Sequence, residues 1–349
     1  MQGIKQNLDE VIVKGIRAKF SSPISYSNIY KEKLKNKNLG QDLPILLNFL
    51  PSVVTTSDAG AGIGYTGIRV RGVSPQSTNI TINGIPFNDP ESMGTFWVNL
   101  PDFTSSIQSL QLQRGIGTST NGSGAFGASI NISTDNISQT PYAEISSSFG
   151  SFNTRKNTIK FSTGKINDVF EFSGRFSKID SDGYVDRAFS DLKSYFIQGT
   201  YLKGSTLIKA ISFAGHEKTY QSWYGLTMDQ LKENRRQNPY TYENEIDNYK
   251  QDHYQLHWNE KINNFWSFNL GLNYTYGRGY FEQYREDDNI DIYGGIVSSD
   301  TNLNGEKTDT TDLIRRRWLD NDFYVFNLSL IHISEPTRRT PISYAVFCL

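Results

Sequence analysis

The sequence predicts an α+β domain followed by the first strands of an antiparallel transmembrane β-barrel, and this barrel is predicted to be incomplete. Three observations support this fold class. No run of about 18 apolar residues occurs, which excludes a helical membrane span. Aromatic residues make up 13% of the 349 residues, a content that suits strands with one apolar face. From Tyr142 onward, segments of about ten residues alternate in polarity between Gly, Asn and Asp residues.

The first domain is predicted to contain one helix and several short strands. Four leucines at helical spacing predict a helix from Gly40 to Leu50, which Pro51 stops. A strand is predicted from Tyr65 to Val73, and Asn83-Gly84 is a turn signal between two short strands. Two further strands are predicted near Ile107 to Arg114 and from Ala128 to Ser133.

The second region is predicted to be a meander of antiparallel strands. Composition alone would also fit a soluble β-sandwich. The connections decide between the two, because they are short at 164–168, 204–205 and 262–264 but long at 220–248 and 280–317. Short turns at one end and long loops at the other are typical of an outer-membrane barrel. The predicted strands are Tyr142–Phe149, Lys156–Thr163, Val169–Ile179, Ser194–Lys203, Leu207–Glu217, Tyr249–Glu260, Phe265–Gly277 and Phe323–Ile331.

The end of the chain departs from this rhythm. Residues 333–349 carry the only cysteine and resemble a translated sequencing adapter, so they are predicted to be a non-native tail. A genuine irregular C-terminus is the alternative. The predicted organisation therefore has four parts: an N-terminal segment (1–14), the first domain (15–138), the partial barrel (139–332) and the tail (333–349).

Several classes of function are excluded or disfavoured. The 35 basic and 36 acidic residues give no excess of positive charge, which argues against a nucleic-acid binder. The Gly122–Gly127 segment satisfies G-x-G-x-x-G, but a β-prone stretch follows it where a nucleotide site needs a helix. His253 and His257 lie about 13 Å apart on a strand and cannot share one ion without a bend. No catalytic set stands out, so we expect no enzyme, no metal site and no cofactor.

A set of motifs runs in a fixed order along the first domain. Tyr65–Gly72 contains Ile-Arg-Val-Arg-Gly, Thr81–Asp89 contains Ile-Asn-Gly-Ile-Pro, and Leu110–Gly115 ends in Arg-Gly. Gly122–Ile132 then ends in Ile-Asn-Ile. Together these motifs resemble the plug domain of TonB-dependent outer-membrane receptors, and Gln251–Trp258 is similar to bacteroidete-type members.

This resemblance implies a function and its partners. It implies active import of a scarce nutrient (an iron chelate, cobalamin or a glycan) across the outer membrane of a Gram-negative bacterium. The expected partners are the periplasmic protein TonB, outer-membrane lipid and a small nutrient ligand, with a metal chelate as the first choice. The roughly 22 strands of this class also explain why eight predicted strands suggest an incomplete barrel. A cell-surface β-rich adhesion or carbohydrate-binding protein is the alternative, and a hydrolase barrel lacks a recognisable catalytic set.

The segment Leu8–Gly15 resembles a TonB box, the peptide that meets TonB. Such a peptide acts by strand addition, in which its backbone pairs with the edge of a partner's sheet. An ordinary first strand of the plug is the alternative. The residues predicted to contact TonB are Asp9, Glu10, Val11, Ile12 and Val13.

The plug is predicted to meet the barrel wall through charged side chains. Arg69, Arg71 and Arg114 are expected to contact carboxylates of the wall; the alternative is that they only solvate a sheet edge. Family members often carry Glu before the Arg-Gly pair, but this chain has Gln108 and Gln111 there. A carboxylate-based lock at those two positions is therefore in doubt.

The ligand is expected where three plug loops, at 57–64, 74–79 and 88–97, face the long barrel loops. The aromatic side chains offer stacking surface and the acidic ones offer charge. For each aromatic residue, core packing or a membrane-interface girdle is the alternative. The predicted substrate-binding residues are Ser74, Gln76, Asn88, Asp89, Glu91, Phe96, Trp97, Tyr220, Trp223 and Tyr224.

Overall fold

The computed structural model describes residues 17–116, 126–263, 265–294, 305, 309–332 and 346–348. Both predicted regions are present, a mixed α+β domain and an antiparallel sheet. The TonB-box-like segment, residues 117–125 and most of the predicted tail lie outside the described residues. The first domain consists of β1 (Ser25–Tyr30), α1 (Lys31–Lys35), α2 (Leu43–Leu46), β2 (Val53–Ser57), β3 (Thr66–Val70), β4 (Thr78–Ile82), β5 (Ile85–Pro86), β6 (Ile107–Arg114) and β7 (Ala128–Thr134).

The centre of the first domain is a five-stranded sheet in the order β1-β6-β7-β4-β5. In this sheet the β4–β7 pair is parallel and the other strand pairs are antiparallel. Strands β2 and β3 form a separate antiparallel hairpin. Strand β6 is buried along most of its length because β1 and β7 cover both of its edges. Leu110, Leu112, Ile130 and Ile132 are at most 1% exposed and form the core.

Four local elements differ from the sequence prediction. The α-helix spans only Leu43–Leu46, since the turn over the following leucines is not regular α-helix. Strand β3 ends at Val70 because Arg71 has a positive φ of 54°, which breaks the extended backbone. Strands β1 and β2 were not predicted, and both are short and rich in Ser and Thr.

The second region is a nine-stranded antiparallel meander that runs from β8 to β16 in chain order. The long loop at 221–245 contains one short helix, α3 (Met228–Glu233). The second predicted long loop is only partly loop, because β14 continues to Asn289 and β15 begins at Thr310, which leaves 290–309 between them. The strands are β8 (Tyr142–Phe149), β9 (Arg155–Ser162), β10 (Phe170–Ser181), β11 (Ser190–Lys203), β12 (Thr206–Tyr220), β13 (Ile246–Lys261), β14 (Trp266–Asn289), β15 (Thr310–His332) and β16 (Val346–Cys348).

The two faces of this sheet have inverted polarity compared with a soluble protein. Arg175, Lys156 and Gln198 are at most 3% exposed on the inner face, which packs against the first domain. Ile145 and Phe149 are more than three-quarters exposed on the outer face. Buried polar groups and exposed apolar groups are the pattern of a barrel wall that faces lipid outside and a polar interior inside. In the residues described, no helix is long and apolar enough to cross a membrane.

The first domain packs against the inner face through aromatic and backbone contacts. Phe103 lies 5.2 Å from Phe213 and 6.1 Å from Phe196, measured between ring centroids. Strand β12 has Gly215 at a close approach to the backbone of the first domain, since an added Cβ would lie 2.7 Å from the Asn99 carbonyl carbon. The hydrophobic core therefore continues from the first domain into the sheet.

The buried ion pairs between the two regions have the opposite polarity to the prediction, whereas the exposed pair of Lys35 with Glu144 of β8 has the predicted polarity. The first domain supplies Asp102 and the linker supplies Asp135, while β9 supplies the cations. Lys156 Nζ lies 2.7 Å from Asp102, and Lys160 pairs with Asp135. Arg175 of β10 adds a hydrogen bond to the main-chain oxygen of Asp102. The buried part of the contact therefore joins acidic groups at the plug side to basic groups of the wall.

The three arginines predicted to contact the wall make no ion pair with the described part of the sheet. Arg114 stays inside the first domain, where its guanidinium donates to the Pro51 carbonyl at 2.9 Å and to Ser27 Oγ at 2.8 Å. Arg69 and Arg71 are exposed. In the described part of the chain, none of the three pairs with a carboxylate of the sheet. Contacts of Arg69 and Arg71 with a barrel wall therefore stay a prediction.

Candidate functional site

A cavity of about 910 Å³ lies between the loops of the first domain and the inner face of the sheet. It has the size of a small-molecule site. The loops at 58–65 and 86–99 form one side, and β12 to β15 form the other. The lining residues are Asp58, Tyr65, Pro86, Phe87, Asp89, Pro90, Glu91, Ser92, Gly94, Thr95, Phe96, Asn99, Glu217, Trp223, Asp247, Tyr249, Gln251, His253, Asn273, Thr275, Phe281, Leu319, Asp320, Asn321, Asp322 and Phe323.

Aromatic rings from both regions meet in the cavity. Trp223, from the loop after β12, makes edge-on contacts with Tyr65 at 5.4 Å and Phe281 at 5.6 Å between centroids. Phe87 lies 5.2 Å from the ring of His253. These rings give the cavity a fixed apolar surface, because each is held by a neighbour from another element.

Carboxylates line the remaining surface. Asp58 belongs to the first domain, whereas Glu217 and Asp247 project from the inner face of β12 and β13. The Tyr65 hydroxyl donates a hydrogen bond to Asp247, which links the two regions across the cavity. Partial burial raises the pKa of Asp58 to about 6. Burial, with Glu217 and Asp247 nearby, raises the pKa of Tyr65 well above its usual range, so this phenol remains a donor.

Some polar atoms at the cavity have no partner. Asp247 is 4% exposed, and its Oδ1 makes no hydrogen bond although its Oδ2 accepts from Tyr65. The indole Nε1 of Trp223 and Nε2 of His253 are also without partners, while His253 Nδ1 lies 2.8 Å from Thr275 Oγ1. Buried polar groups normally find a partner, so these atoms mark places where a ligand or water would complete the site.

Four of the predicted substrate-binding residues line the cavity: Asp89, Glu91, Phe96 and Trp223. Asp89 also shapes its own loop, since its Oδ1 accepts from the backbone N–H of Glu91 at 3.0 Å and of Ser92 at 2.6 Å. Its role toward a ligand stays a prediction.

The plug residues Ser74, Gln76, Asn88 and Trp97 lie away from the cavity surface. Ser74 and Gln76 belong to the turn before β4, outside the lining. Asn88 holds the loop together, because its side chain accepts from the Ile80 N–H and donates to the carbonyls of two other residues. Trp97 is 4% exposed and packs in the hydrophobic core, which is the alternative stated for the aromatic residues.

The two predicted barrel tyrosines also lie outside the lining. Tyr220 is 4% exposed, and its hydroxyl donates to the Tyr242 carbonyl at 2.6 Å. Tyr224 is exposed and stacks on Tyr240 at 5.0 Å between centroids. Both rings therefore stabilise the 221–245 loop and do not offer surface to the cavity.

The sequence prediction missed several lining residues, chiefly Tyr65, Glu217, Asp247, Tyr249 and His253. The barrel members share one signal, because positions 247, 249, 251 and 253 alternate along β13 and all face inward. The alternation is visible in the sequence, but the sequence does not show which of the two faces points inward. Among the described residues, no group of three potential metal ligands clusters. The predicted TonB-contact residues Asp9 to Val13 lie outside the described residues.

Comparison with known proteins gives the same picture. Residues 18–129 match the family model "TonB-dependent Receptor Plug Domain". The chain is 25% identical over 190 residues to a probable TonB-dependent siderophore receptor, PirA, from Acinetobacter baumannii. This alignment covers 52% of the chain and 23% of PirA.

Solved structures agree on the fold. The ferric-catecholate import receptor Fiu from Escherichia coli K12 superposes with a TM-score of 0.65 at 14% identity, over 88% of this chain and 46% of Fiu. The ferric yersiniabactin uptake receptor FyuA from Yersinia pestis gives 0.61 at 15% identity, over 89% of this chain and 49% of FyuA. The chain thus spans less than half the length of these relatives.

The plug match, the order of the plug motifs and the inverted polarity of the sheet lead to one assignment. Residues 18–129 form a domain of the TonB-dependent receptor plug type, and the sheet that follows has the fold of a partial barrel of these receptors.

Proposed function

We propose that the protein imports a small nutrient across the outer membrane with energy delivered through TonB, and that the cavity between plug and barrel is its ligand site. The cavity carries this proposal, because plug loops and inner-face side chains together line about 910 Å³. The apolar outer face supports an outer-membrane location, and it disfavours a soluble adhesion or carbohydrate-binding protein, which would bury these side chains.

An iron chelate is the first candidate for the nutrient. The named relatives PirA, Fiu and FyuA are described as a siderophore receptor, a ferric-catecholate import receptor and a ferric yersiniabactin receptor. Cobalamin and glycans are the comparison substrates. TonB would bind the segment Asp9 to Val13 by strand addition.

An uptake experiment tests this function. The complete gene is expressed in a host without its own chelate receptors, and uptake of labelled iron(III) chelates, cobalamin and oligosaccharides is compared with and without TonB. We expect uptake of an iron chelate only when TonB is present. Equal uptake in cells that lack TonB would contradict the proposal.

Deletion of Leu8–Val13 tests the TonB contact. The variant should lose energised uptake but keep ligand binding, since the segment precedes the plug. An equal-length deletion of Gln2–Asn7 is the matched control and should transport normally. Unchanged uptake after deletion of Leu8–Val13 would defeat the assignment of this segment.

A further inference from the structure

We propose that the ligand of this cavity carries a cationic group, an ammonium or guanidinium, which is held between the Trp223–Tyr65 aromatic pair and the carboxylates of Asp58, Glu217 and Asp247. This inference rests on the proposed function, because it names the chemical class of the imported nutrient. A small chelate or nutrient with a protonated nitrogen fits it, whereas a polyanionic chelate does not.

The charge of the lining is one-sided. Seven lining residues are acidic, and none of the described lining residues is Lys or Arg. None of the seven belongs to an ion pair within the described part of the chain. A ligand anion would therefore meet uncompensated like charge, and a ligand cation would find several partners. The acidic lining residues are Asp58, Asp89, Glu91, Glu217, Asp247, Asp320 and Asp322.

A second observation is independent of the net charge. Asp247 is 4% exposed, lines the cavity, and has one carboxylate oxygen without a partner. Its other oxygen already accepts from Tyr65. A buried carboxylate oxygen with a lone pair free requires a donor, and a positively charged N–H forms the stronger class of hydrogen bond.

The aromatic groups favour the same ligand. Trp223 lies edge-on to Tyr65 at 5.4 Å and to Phe281 at 5.6 Å, so parts of these ring systems remain in contact with the cavity. Ring faces attract organic cations, and indole is the best of the three ring types. Carboxylates beside aromatic faces therefore provide both the charge and the apolar contact that an alkylammonium or guanidinium group needs.

A series of three ligands with one iron(III) core tests the charge preference. The probes are the iron(III) complex of desferrioxamine B, which bears one ammonium group, its N-acetylated neutral form and its N-succinylated anionic form. Binding to the complete receptor in detergent is measured by tryptophan fluorescence and calorimetry. We expect the ammonium form to bind about tenfold more tightly than the neutral form, and the anionic form to bind more weakly still.

Substitutions of single carboxylates identify the residues that cause the preference for the ammonium probe. Glu217→Gln and Asp247→Asn should each reduce the ratio between the ammonium and neutral probes, and the pair should bring it close to one. Asp229→Asn, on the exposed helix α3, removes one charge away from the cavity and should leave the ratio unchanged. Heat-modifiable mobility in gels verifies that each variant is folded, and the wild-type ligand series stands even if a variant is not.

Three results would overturn the inference: equal affinity for the three probes, tighter binding of the anionic probe, or no binding of any probe. Its failure is distinguishable from failure of the proposed function. TonB-dependent uptake without charge preference would remove only the inference. A clear charge preference without TonB-dependent uptake would remove only the function.

Discussion

The substitution Asp102→Asn tests the ionic contact between plug and barrel. The Asp102 side chain is fully buried and forms an ion pair with Lys156, whose Nζ lies 2.7 Å away. The Lys156 side chain is itself only 4% exposed. Thr158 and Ser177 of the wall donate to the same carboxylate at 2.7 and 2.6 Å. Asn is the suitable replacement because Asp102 has a φ of 51°, a backbone conformation that Asn tolerates.

The expected loss follows from the burial of the cations. With Asn at this position, Lys156 and Arg175 would remain buried without their nearest counter-charge, although the hydroxyl donors could keep the amide oxygen as acceptor. Breaking a buried ion pair from one side costs about 3–5 kcal/mol. Since the remaining hydrogen bonds keep part of the network, we expect a loss near the lower end, about 3 kcal/mol, in the free energy of unfolding of the plug.

The pH dependence gives a second measure of the same contact. Burial alone would raise the pKa of Asp102, but Arg175 and Lys156 outweigh it and hold this pKa well below the usual 3.8. The carboxylate is therefore more acidic in the folded state than in the unfolded state. The stabilisation should be fully present above about pH 4 and be lost as the pH falls through the lower folded-state value, and Asp102→Asn should remove this acid transition.

Urea unfolding of the complete receptor, followed by tryptophan fluorescence and by hydrogen exchange in the 97–107 segment, measures the loss. Asp180→Asn is the matched control, because Asp180 pairs with Lys178 at 2.8 Å where both side chains are at least 34% exposed. Such exposed pairs contribute about 0–1 kcal/mol. If the two variants lose the same stability, the buried pair does not hold the plug as described.

Three other substitutions follow from the packing. Gly215→Ala should prevent the plug from packing fully against the sheet and lower its stability by about 1–3 kcal/mol, because the new Cβ would lie 2.8 Å from the Pro101 ring. Gly199→Ala is the control, because a Cβ added there meets open space. Equal urea midpoints for the two variants would contradict this packing. Leu256→Arg on the outer face should destabilise the membrane-inserted barrel by about 2–4 kcal/mol near mid-membrane, measured by unfolding from vesicles; an unchanged value would place this residue outside lipid. Asn88→Ala should speed hydrogen exchange in the 88–96 loop and weaken ligand binding, because three hydrogen bonds are lost; unchanged exchange would show that other contacts fix the loop.

Much of the barrel could be predicted from the sequence because one face of each strand is apolar and the other is polar. Strand β8 was predicted with its exact bounds, and alternation made this possible. The extents of β14 and β15 were underestimated, since 280–289 is mostly polar and reads as a loop. Both faces of a strand can be wet beyond the lipid, so alternation there disappears while backbone pairing continues.

The cavity and the ionic contact were harder to predict, because both depend on register between distant segments. Tyr65 and Asp247 meet although 182 positions separate them, and no local pattern marks either as a partner. The charged residues Lys156 and Lys160 alternate visibly in β9. Their orientation toward the plug could be inferred only after the inner face was known.

The sign of the charges across the interface restricts which plugs this wall can accept. The wall presents buried lysine and arginine side chains, so a plug with basic residues at the positions of Asp102 and Asp135 would bring like charges together in a dry environment. A chimera that joins this barrel to a basic-faced plug from another receptor should therefore assemble poorly. Natural exchange of plugs between receptors would require both sides of the contact to change together.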